Sequence, residues 1–265
     1  GYYNQNFICI KMDMETGEGP VLAKKYAVKN YPTFLFLNAG GEIMHLSCGA
    51  VPVKDFVETG RTAINPGLNF QSYQSAYTAG KRDPSFMREY MMVRRKACMN
   101  TDTVVNEYFK TQRVENLTNR ENWNVIYWFV EDVNSIPFKY FLNHYTGFST
   151  LYSSDSVDSK IHEVYILNFY SIIYAEKINK QKYNELKNTL VATHLTIAGK
   201  ILFDADLALY AENKEWKKYA ALACNDLDKY HTDNGPTLNM VAWAFYEHVD
   251  DHLQLEKAVA WVKKS

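Results

Sequence analysis

Apolar and polar positions divide the chain into a short region with strand patterns and a long region with helical patterns. Residues 7–14 are apolar at nearly every position, which predicts a strand covered on both faces of a sheet. The pattern after it predicts a helix whose first turn holds Pro20, strands at 34–37 and 43–48 joined by a glycine turn, and a helix at 53–64. Residues 1–65 are therefore predicted to form an α/β unit.

A Pro-Gly turn marks the end of this unit. Pro66 and Gly67 follow the predicted helix, and the strand patterns disappear beyond them. The sequence predicts an all-helical domain over residues 66–265, with residues 65–69 as a hinge. Residues 121–130 are apolar around most of the helix circumference, so we expect them deep in the helical core. Helical periodicity is present at 72–80, 84–99, 102–112, 121–132, 136–146, 157–177, 181–196, 198–212, 214–230, 236–248 and 252–265.

The last four predicted helices have the pattern of two stacked helical hairpins. Leu207 and Tyr210 in the first hairpin correspond to Trp243 and Tyr246 in the second, at a spacing of 36 residues. Aromatic anchors and small alanines at the helix crossings are tetratricopeptide-like (TPR-like) features. Such repeats bury their apolar faces by stacking on one another. The region is therefore predicted to be a TPR-like domain.

Composition excludes several classes of protein. The chain has 265 residues and is 47% hydrophobic, which supports a sizeable core and argues against disorder. The formal net charge is −1 without a long run of like charge, so no nucleic-acid interface is expected. No apolar run is long enough to span a bilayer, so no membrane span is expected.

The four cysteines are far apart in the sequence, at Cys9, Cys48, Cys98 and Cys224. No Cys-x-x-Cys redox pair or zinc ribbon is present. We therefore expect all four to be free thiols that behave as small buried hydrophobes. Because none has a neighbouring resolving cysteine, the chain alone is not expected to reduce insulin disulfides faster than a free thiol does.

One short segment has the donor types of a metal site. His248, Asp250, Asp251 and His252 supply imidazole and carboxylate groups within five positions. The segment also falls in a predicted loop between helices, where solvated Asp and His are common. No metal site is therefore predicted.

Other polar pairs and motifs do not indicate an enzyme site. Asp204 with Asp206, and Asp226 with Asp228, are spaced two residues apart and do not share a helix face, so they are predicted to be surface charge. The sequence contains no Gly-rich phosphate loop, Gly-x-Ser-x-Gly or His-Glu-x-x-His motif. No cofactor is expected.

Residues 26–46 combine a helix end, a Tyr-Pro-Thr turn into a strand, a Gly-Gly hairpin and a second strand. The residues that carry the wider pattern are Asp13, Tyr26, Val28, Pro32, Thr33, Gly41 and Gly49. Over residues 2–64 this arrangement resembles the second half of a thioredoxin-like domain. The resemblance implies a cis Tyr31–Pro32 bond beside a groove for extended protein substrates, with Tyr31, Pro32 and Thr33 as substrate-binding residues.

The chain departs from the family pattern in two respects. It lacks the Cys-x-x-Cys pair, and it lacks the central strand that separates the strands matching residues 7–13 and 33–37. Either these elements lie upstream in a longer parent protein, or the unit is a degenerate relic. The abrupt start at Gly1 and the end at Ser265 within a helical pattern lead us to expect a piece of a longer protein.

The combination of units resembles bacterial, envelope-associated thioredoxin-family proteins with a helical C-terminal extension, which implies a periplasmic or cell-envelope location. It implies thiol–disulfide exchange on protein or peptide substrates by the parent protein, with the helical domain binding partners. The alternative is a non-catalytic protein-binding scaffold, in which a degenerate thioredoxin-like unit supports a helical recognition surface. No catalytic residue is predicted within this chain.

Overall fold

The structure is a computed structural model that describes residues 1–265. The chain is predominantly helical, as predicted, with fifteen α-helices and one two-stranded sheet. It forms two compact units, residues 1–130 with 135–137 and residues 131–134 with 138–265. The boundary predicted at residue 65 therefore falls inside the first unit.

The first unit contains a hairpin surrounded by seven helices. Side chains of Asn69, Asp83 and Asn119 begin three of these helices by accepting a backbone N–H in the first turn. The elements are α1 (Tyr2–Asn6), α2 (Gly19–Lys25), β1 (Thr33–Leu37), β2 (Ile43–Cys48), α3 (Val53–Ala63), α4 (Phe70–Thr78), α5 (Pro84–Lys96), α6 (Asp102–Lys110), a 3-10 turn (Val114–Asn116) and α7 (Arg120–Phe129).

Strands β1 and β2 pair antiparallel, as the glycine turn predicts. Thr33 lies opposite Cys48 and Leu35 lies opposite Leu46 in the register. Opposite residues of an antiparallel pair project to the same face of the sheet. That face contacts α4 and α5 through a small apolar cluster, whose buried members are Leu46, Phe70 and Ala97.

Residues 7–13 form no strand, so the prediction of a strand at 7–14 is wrong. Ile8 is 95% exposed and Ile10 is 78% exposed. The sheet has only two strands, and this segment has no neighbour to pair with its backbone groups, as a buried strand requires. The ring of Phe7 packs against the ring of Phe36, with the centroids 5.3 Å apart. An apolar run without a neighbouring strand is therefore not sufficient to form one.

Residues 65–69, the expected hinge, form a hydrogen-bonded turn. The backbone N–H groups of Leu68 and Asn69 both donate to the Asn65 carbonyl, at 3.1 Å. The Asn69 side chain then accepts the N–H of Ser72 at 2.9 Å and begins α4. Because these bonds connect α3 to α4 directly, the first unit continues past the Pro-Gly turn.

The second unit is helical throughout. Its elements are α8 (Ile136–Asn143), which starts at the division between the units, α9 (Tyr145–Tyr152), α10 (Ser154–Ile173), α11 (Lys180–Val191), α12 (Ala198–Glu212), α13 (Trp216–His231), α14 (Gly235–His248) and α15 (His252–Lys264). Every segment with predicted helical periodicity contains a helix, while α1 and α9 were not predicted. The two extra helices are short, with 5 and 8 residues, and such lengths give weak periodicity.

Helix α10 is the longest, with 20 residues, and supplies much of the core of the second unit. The buried residues of α10 are Val157, Lys160, Ile161, Val164, Tyr165, Ile166, Phe169 and Ile173.

No helix in residues 1–265 combines the length and the apolar character needed to cross a bilayer.

Helices α12 to α15 share one apolar cluster. The residue pairs that correspond at a spacing of 36 have different environments: Leu207 is 4% exposed, whereas Trp243 is 60% exposed and Tyr246 is 77% exposed. Four pairs of residues from the cluster correspond at a spacing of 34 instead. These counterparts are Leu207 and Val241, Ala211 and Phe245, Cys224 and Ala258, and Leu227 and Trp261.

Candidate functional site

The predicted substrate-binding residues form the turn that opens β1. The Tyr31–Pro32 bond is cis, as predicted. Thr33 Oγ1 donates to the Asn30 carbonyl at 2.6 Å, and the Pro32 carbonyl accepts the N–H of Gly49 at 2.8 Å. Tyr31 makes no such anchoring contact and is 60% exposed. Two hydrogen bonds, one at Thr33 and one at Pro32, therefore anchor the turn, and the Tyr31 side chain is exposed to solvent.

Strand β1 has one unpaired edge. The sheet order is β1-β2, so β2 occupies only one side of β1. An unpaired strand edge presents backbone N–H and C=O groups that an extended peptide can pair with. The edge starts two residues after Tyr31, which places the exposed ring at its beginning.

An apolar cleft of about 340 Å³ lies at the opposite end of the hairpin. Its lining includes Phe36 and Leu37 at the end of β1, Met44 on β2 and Ile64 after α3. Tyr31 lies at the start of β1, so the length of the strand separates it from the cleft. The structure thus does not bring the predicted residues and the cleft into one site.

Cys48 and Cys98 form a disulfide, so the prediction of four free thiols is wrong for these two. Their Cα atoms are 5.9 Å apart, although the residues are 50 positions apart in the sequence. Cys48 ends β2 and Cys98 follows α5, and the apolar cluster described above brings these two elements together. Cys9 and Cys224 are free; Cys9 is exposed, and burial raises the pKa of the Cys224 thiol.

The disulfide adjoins the predicted substrate-binding turn. Cys48 is the register partner of Thr33, and the next residue, Gly49, is hydrogen-bonded to Pro32. Cys98 is exposed, whereas Cys48 is half-buried. Tertiary packing therefore gives each of these two cysteines a partner, and the expectation that no cysteine has a resolving partner is wrong for them.

Cys98 ends helix α5 in a Schellman motif. The N–H of Cys98 donates to the Arg95 carbonyl and the N–H of Met99 donates to the Arg94 carbonyl, both at 2.9 Å. The φ of Cys98 is +50°, in the left-handed region that favours glycine at this position. Arg94, Arg95 and Lys96 place three positive charges in the turn just before it.

His45 is a buried hydrogen-bond acceptor next to this region. It is 5% exposed, and its Nδ1 accepts the backbone N–H of Phe70 at 3.1 Å. Burial, with a smaller contribution from the positive charge of Lys96, lowers the pKa of His45 from 6.5 to about 4. At neutral pH the imidazole is therefore uncharged and serves to hold the start of α4 on β2.

A carboxylate shared by two imidazoles lies in the second unit and was not predicted. Asp204 Oδ2 is 2.6 Å from His162 Nε2, and Asp204 Oδ1 is 2.5 Å from His231 Nε2. Burial by itself would raise the pKa of Asp204, but the hydrogen bonds and charges of the two histidines together hold it below its usual range. His231 is 6% exposed, and its Nδ1 is buried without a hydrogen-bond partner.

The prediction that Asp204 and Asp206 are surface charge is wrong. Asp206 accepts the Tyr183 hydroxyl at 2.7 Å and the Lys187 ammonium at 2.9 Å. The available signal was that both carboxylates interrupt an apolar helical stretch, where buried charges need partners. Sequence spacing could not identify those partners, because the two histidines of Asp204 are 42 and 27 positions away.

Two of the residues considered for metal binding have local structural roles. His248 stacks on Trp216 with ring centroids 3.8 Å apart. Asp251 begins α15 by accepting the N–H of Gln254 at 3.0 Å. In residues 1–265 no group of three or more His, Cys, Asp or Glu side chains is arranged to hold a metal ion.

Comparison with known proteins does not identify the chain. No family model, no curated protein and no solved structure matches it. A functional assignment therefore depends on the residues and geometry of the chain itself.

Proposed function

We propose that the protein is thioredoxin-like and that its parent protein carries out thiol–disulfide exchange on protein or peptide substrates. In this proposal the first unit holds the extended substrate at Tyr31, Pro32 and Thr33, and the helical region binds partners through a TPR-like surface. The observation that carries the proposal is the position of Tyr31, which is 60% exposed at the start of a strand with an unpaired edge.

An extended substrate binds such an edge by adding as a further strand. Backbone hydrogen bonds to β1 supply affinity, and alternate side chains of the substrate contact the protein. The Tyr31 ring adds a large contact surface with little loss of side-chain entropy. The residue most important for affinity in this arrangement is therefore Tyr31.

The chemistry requires a pair of cysteines. A thiolate attacks the substrate disulfide, forms a mixed disulfide and releases one substrate thiolate; a second thiolate then attacks the mixed disulfide and releases the reduced substrate. The chain contains no Cys-x-x-Cys pair. The proposal therefore assigns substrate binding to this chain and the exchange reaction to the parent protein.

Two observations support the other parts of the proposal. The Cys48–Cys98 disulfide favours an oxidising compartment, in agreement with a periplasmic or envelope-associated location in a bacterium. The 34-residue correspondence of buried positions in α12 to α15 equals the period of tetratricopeptide repeats.

Peptide titration tests substrate binding. A cysteine-alkylated, extended substrate peptide is titrated into the isotope-labelled chain while backbone amide shifts are recorded. We expect the shifts to concentrate in residues 31–37, and Tyr31→Ala to raise Kd by about fivefold or more. Tyr174→Ala is the matched control, since this tyrosine is 59% exposed just after α10 and lies outside both proposed binding surfaces. An unchanged Kd in Tyr31→Ala would contradict the proposed site.

The scaffold alternative is favoured by one observation. Helices α14 and α15 expose several large apolar side chains, two of which, Trp243 and Tyr246, have ring centroids 5.7 Å apart, and exposed apolar patches mark interaction sites. These residues are Met240, Trp243, Tyr246, Leu253 and Val262. The same titration separates the two functions: weaker binding in Trp243→Ala, with Tyr31→Ala unchanged, favours the scaffold.

A further inference from the structure

We propose that the Cys48–Cys98 disulfide is itself a thiol-exchange site, which accepts electrons from dithiols after thiolate attack at Cys98 Sγ. The inference goes beyond the proposed function. It concerns cysteines that this chain contains, and it requires neither substrate binding by Tyr31 nor a Cys-x-x-Cys pair.

Access decides which sulfur is attacked. Cys98 is exposed at the end of α5, whereas Cys48 is half-buried at the end of β2. Thiol–disulfide exchange depends on the approach of the attacking thiolate to one sulfur, with the other sulfur as the leaving group. Cys98 is therefore the electrophile and Cys48 the leaving thiolate.

The backbone at Cys98 favours opening. Its φ of +50° is strained for a residue with a Cβ, and the Schellman hydrogen bonds and the disulfide hold it there together. Opening the disulfide removes one of these constraints, so the residue can relax. Exposed or strained disulfides are the ones that exchange readily, in contrast to buried structural disulfides.

Charge near Cys98 favours the same reaction. Arg94, Arg95 and Lys96 lie in the turn that precedes it. Arg94 Nε donates to the Asn100 carbonyl at 2.8 Å, so its charge is held next to the Cys98 loop. Positive charge attracts an incoming thiolate and stabilises the thiolate form of a cysteine.

The reaction balances with a dithiol as the reductant. One thiolate of the dithiol attacks Cys98 Sγ, a mixed disulfide forms, the bond between Cys48 and Cys98 breaks, and Cys48 leaves as a thiolate that takes a proton from water. The second thiolate of the dithiol attacks the mixed disulfide and releases Cys98 as a thiolate, which also takes a proton from water. Two electrons pass to the protein, which gains two thiols, and the dithiol becomes a disulfide.

The rate law of reduction tests the proposal in the intact chain. A Cys9→Ser background removes the exposed free thiol. Dithiothreitol is added at several concentrations and at 0 to 1 M urea, and free thiols at Cys48 and Cys98 are alkylated and counted by mass spectrometry. We expect the rate of disulfide reduction to be proportional to the dithiothreitol concentration and to change less than about twofold between 0 and 1 M urea. A rate that rises about fivefold or more per molar urea, or that saturates with dithiothreitol at the rate of unfolding, would show that reduction requires global unfolding, and would overturn the proposal.

The site of attack is tested separately with single variants. In the same background, Cys48→Ser and Cys98→Ser are each exposed to glutathione disulfide. We expect glutathione to attach to Cys98 in the first variant much faster than to Cys48 in the second. Faster modification of Cys48 would overturn the assignment of Cys98. Where a single variant does not fold, the Cys9→Ser chain with its intact disulfide is treated with excess glutathione and quenched rapidly with acid. Mass spectrometry then shows whether glutathione is attached to Cys98 or to Cys48.

Discussion

The backbone N–H of Phe70 donates to Nδ1 of His45 across 3.1 Å, and this bond holds the first residue of α4 against β2. The bond requires that Nδ1 carry no proton. Burial and the charge of Lys96 lower the pKa of His45 to about 4 and so favour the neutral imidazole, in which Nδ1 accepts this bond and Nε2 carries the proton. The attachment of α4 to the hairpin is therefore linked to the protonation of one buried imidazole.

The stability of the first unit should fall as pH drops from about 6.5 to about 4. The folded pKa of His45 lies below its unfolded value, so the unfolded state binds more protons in this window and is favoured as pH falls. His45→Asn keeps an acceptor oxygen near the Nδ1 position but does not titrate. We expect urea unfolding, followed by hydrogen exchange of α4 and β2, to show a smaller pH slope in the variant. Equal slopes would contradict this assignment.

Removal of the disulfide should destabilise the first unit. The bond closes a loop of 50 residues, for which the chain-entropy model gives about 4 kcal/mol of stability. We expect the Cys48→Ser/Cys98→Ser double variant to lose a large part of this value, measured by urea unfolding with hydrogen exchange of α5 as the reporter. Cys9→Ser is the matched control and should change stability by less than about 0.5 kcal/mol, because Cys9 is exposed and free.

The carboxylate of Asp204 should stabilise the second unit above about pH 4. The pKa of Asp204 is lower in the folded state than in the unfolded state. Its contribution to stability is therefore present above the unfolded pKa and is lost as pH falls through the folded pKa. We expect Asp204→Asn to cost about 1–3 kcal/mol at pH 7, because the buried imidazole of His231 and the half-buried imidazole of His162 then have one acceptor oxygen between them instead of two. The difference in unfolding free energy between the variant and the unchanged chain should become smaller at lower pH. Asp233→Asn, at an exposed position, should have little effect.

Hydrogen exchange should separate the segment at 7–13 from the helical cores. Residues 8–12 are exposed and lie outside helices and strands, so their amides should exchange fast. The amides of α7, with buried Trp123 and Ile126, and of α14, with buried Val241, should exchange slowly. Slow exchange at 8–12 would mean that a partner strand pairs with this segment, and would require a different description of the first unit.

Helical periodicity and the hairpin were predictable because they arise from neighbouring residues. Side chains three and four positions apart share a helix face, and Asn38 with Gly41 forms the turn between the strands through contacts within four positions. The cis bond before Pro32 was implied by the resemblance to a thioredoxin-like domain. Local reasoning was wrong for residues 7–13, where strand formation depends on a neighbour and not on the segment itself.

The candidate site was predictable only in part. Tyr31, Pro32 and Thr33 are consecutive, so a local pattern contained them. The disulfide joins residues 50 positions apart, and Asp204 meets His162 across 42 positions, so no spacing rule connects either pair. The 34-residue correspondence was also missed. The aromatic residues Trp243 and Tyr246 suggested a spacing of 36, but both are exposed and do not occupy buried repeat positions.

Local backbone preferences and side-chain periodicity decide the helical class, the positions of most helices, the hairpin and its turn, so the amino-acid sequence was sufficient to predict these features. Packing decided which cysteines pair, which carboxylates are shielded from water, whether the apolar segment at 7–13 becomes a strand, and how far the first unit extends. Pairing, burial and pKa depend on groups that packing brings together from distant positions, and a carboxylate such as Asp204 has the same side chain whether it faces water or two histidines.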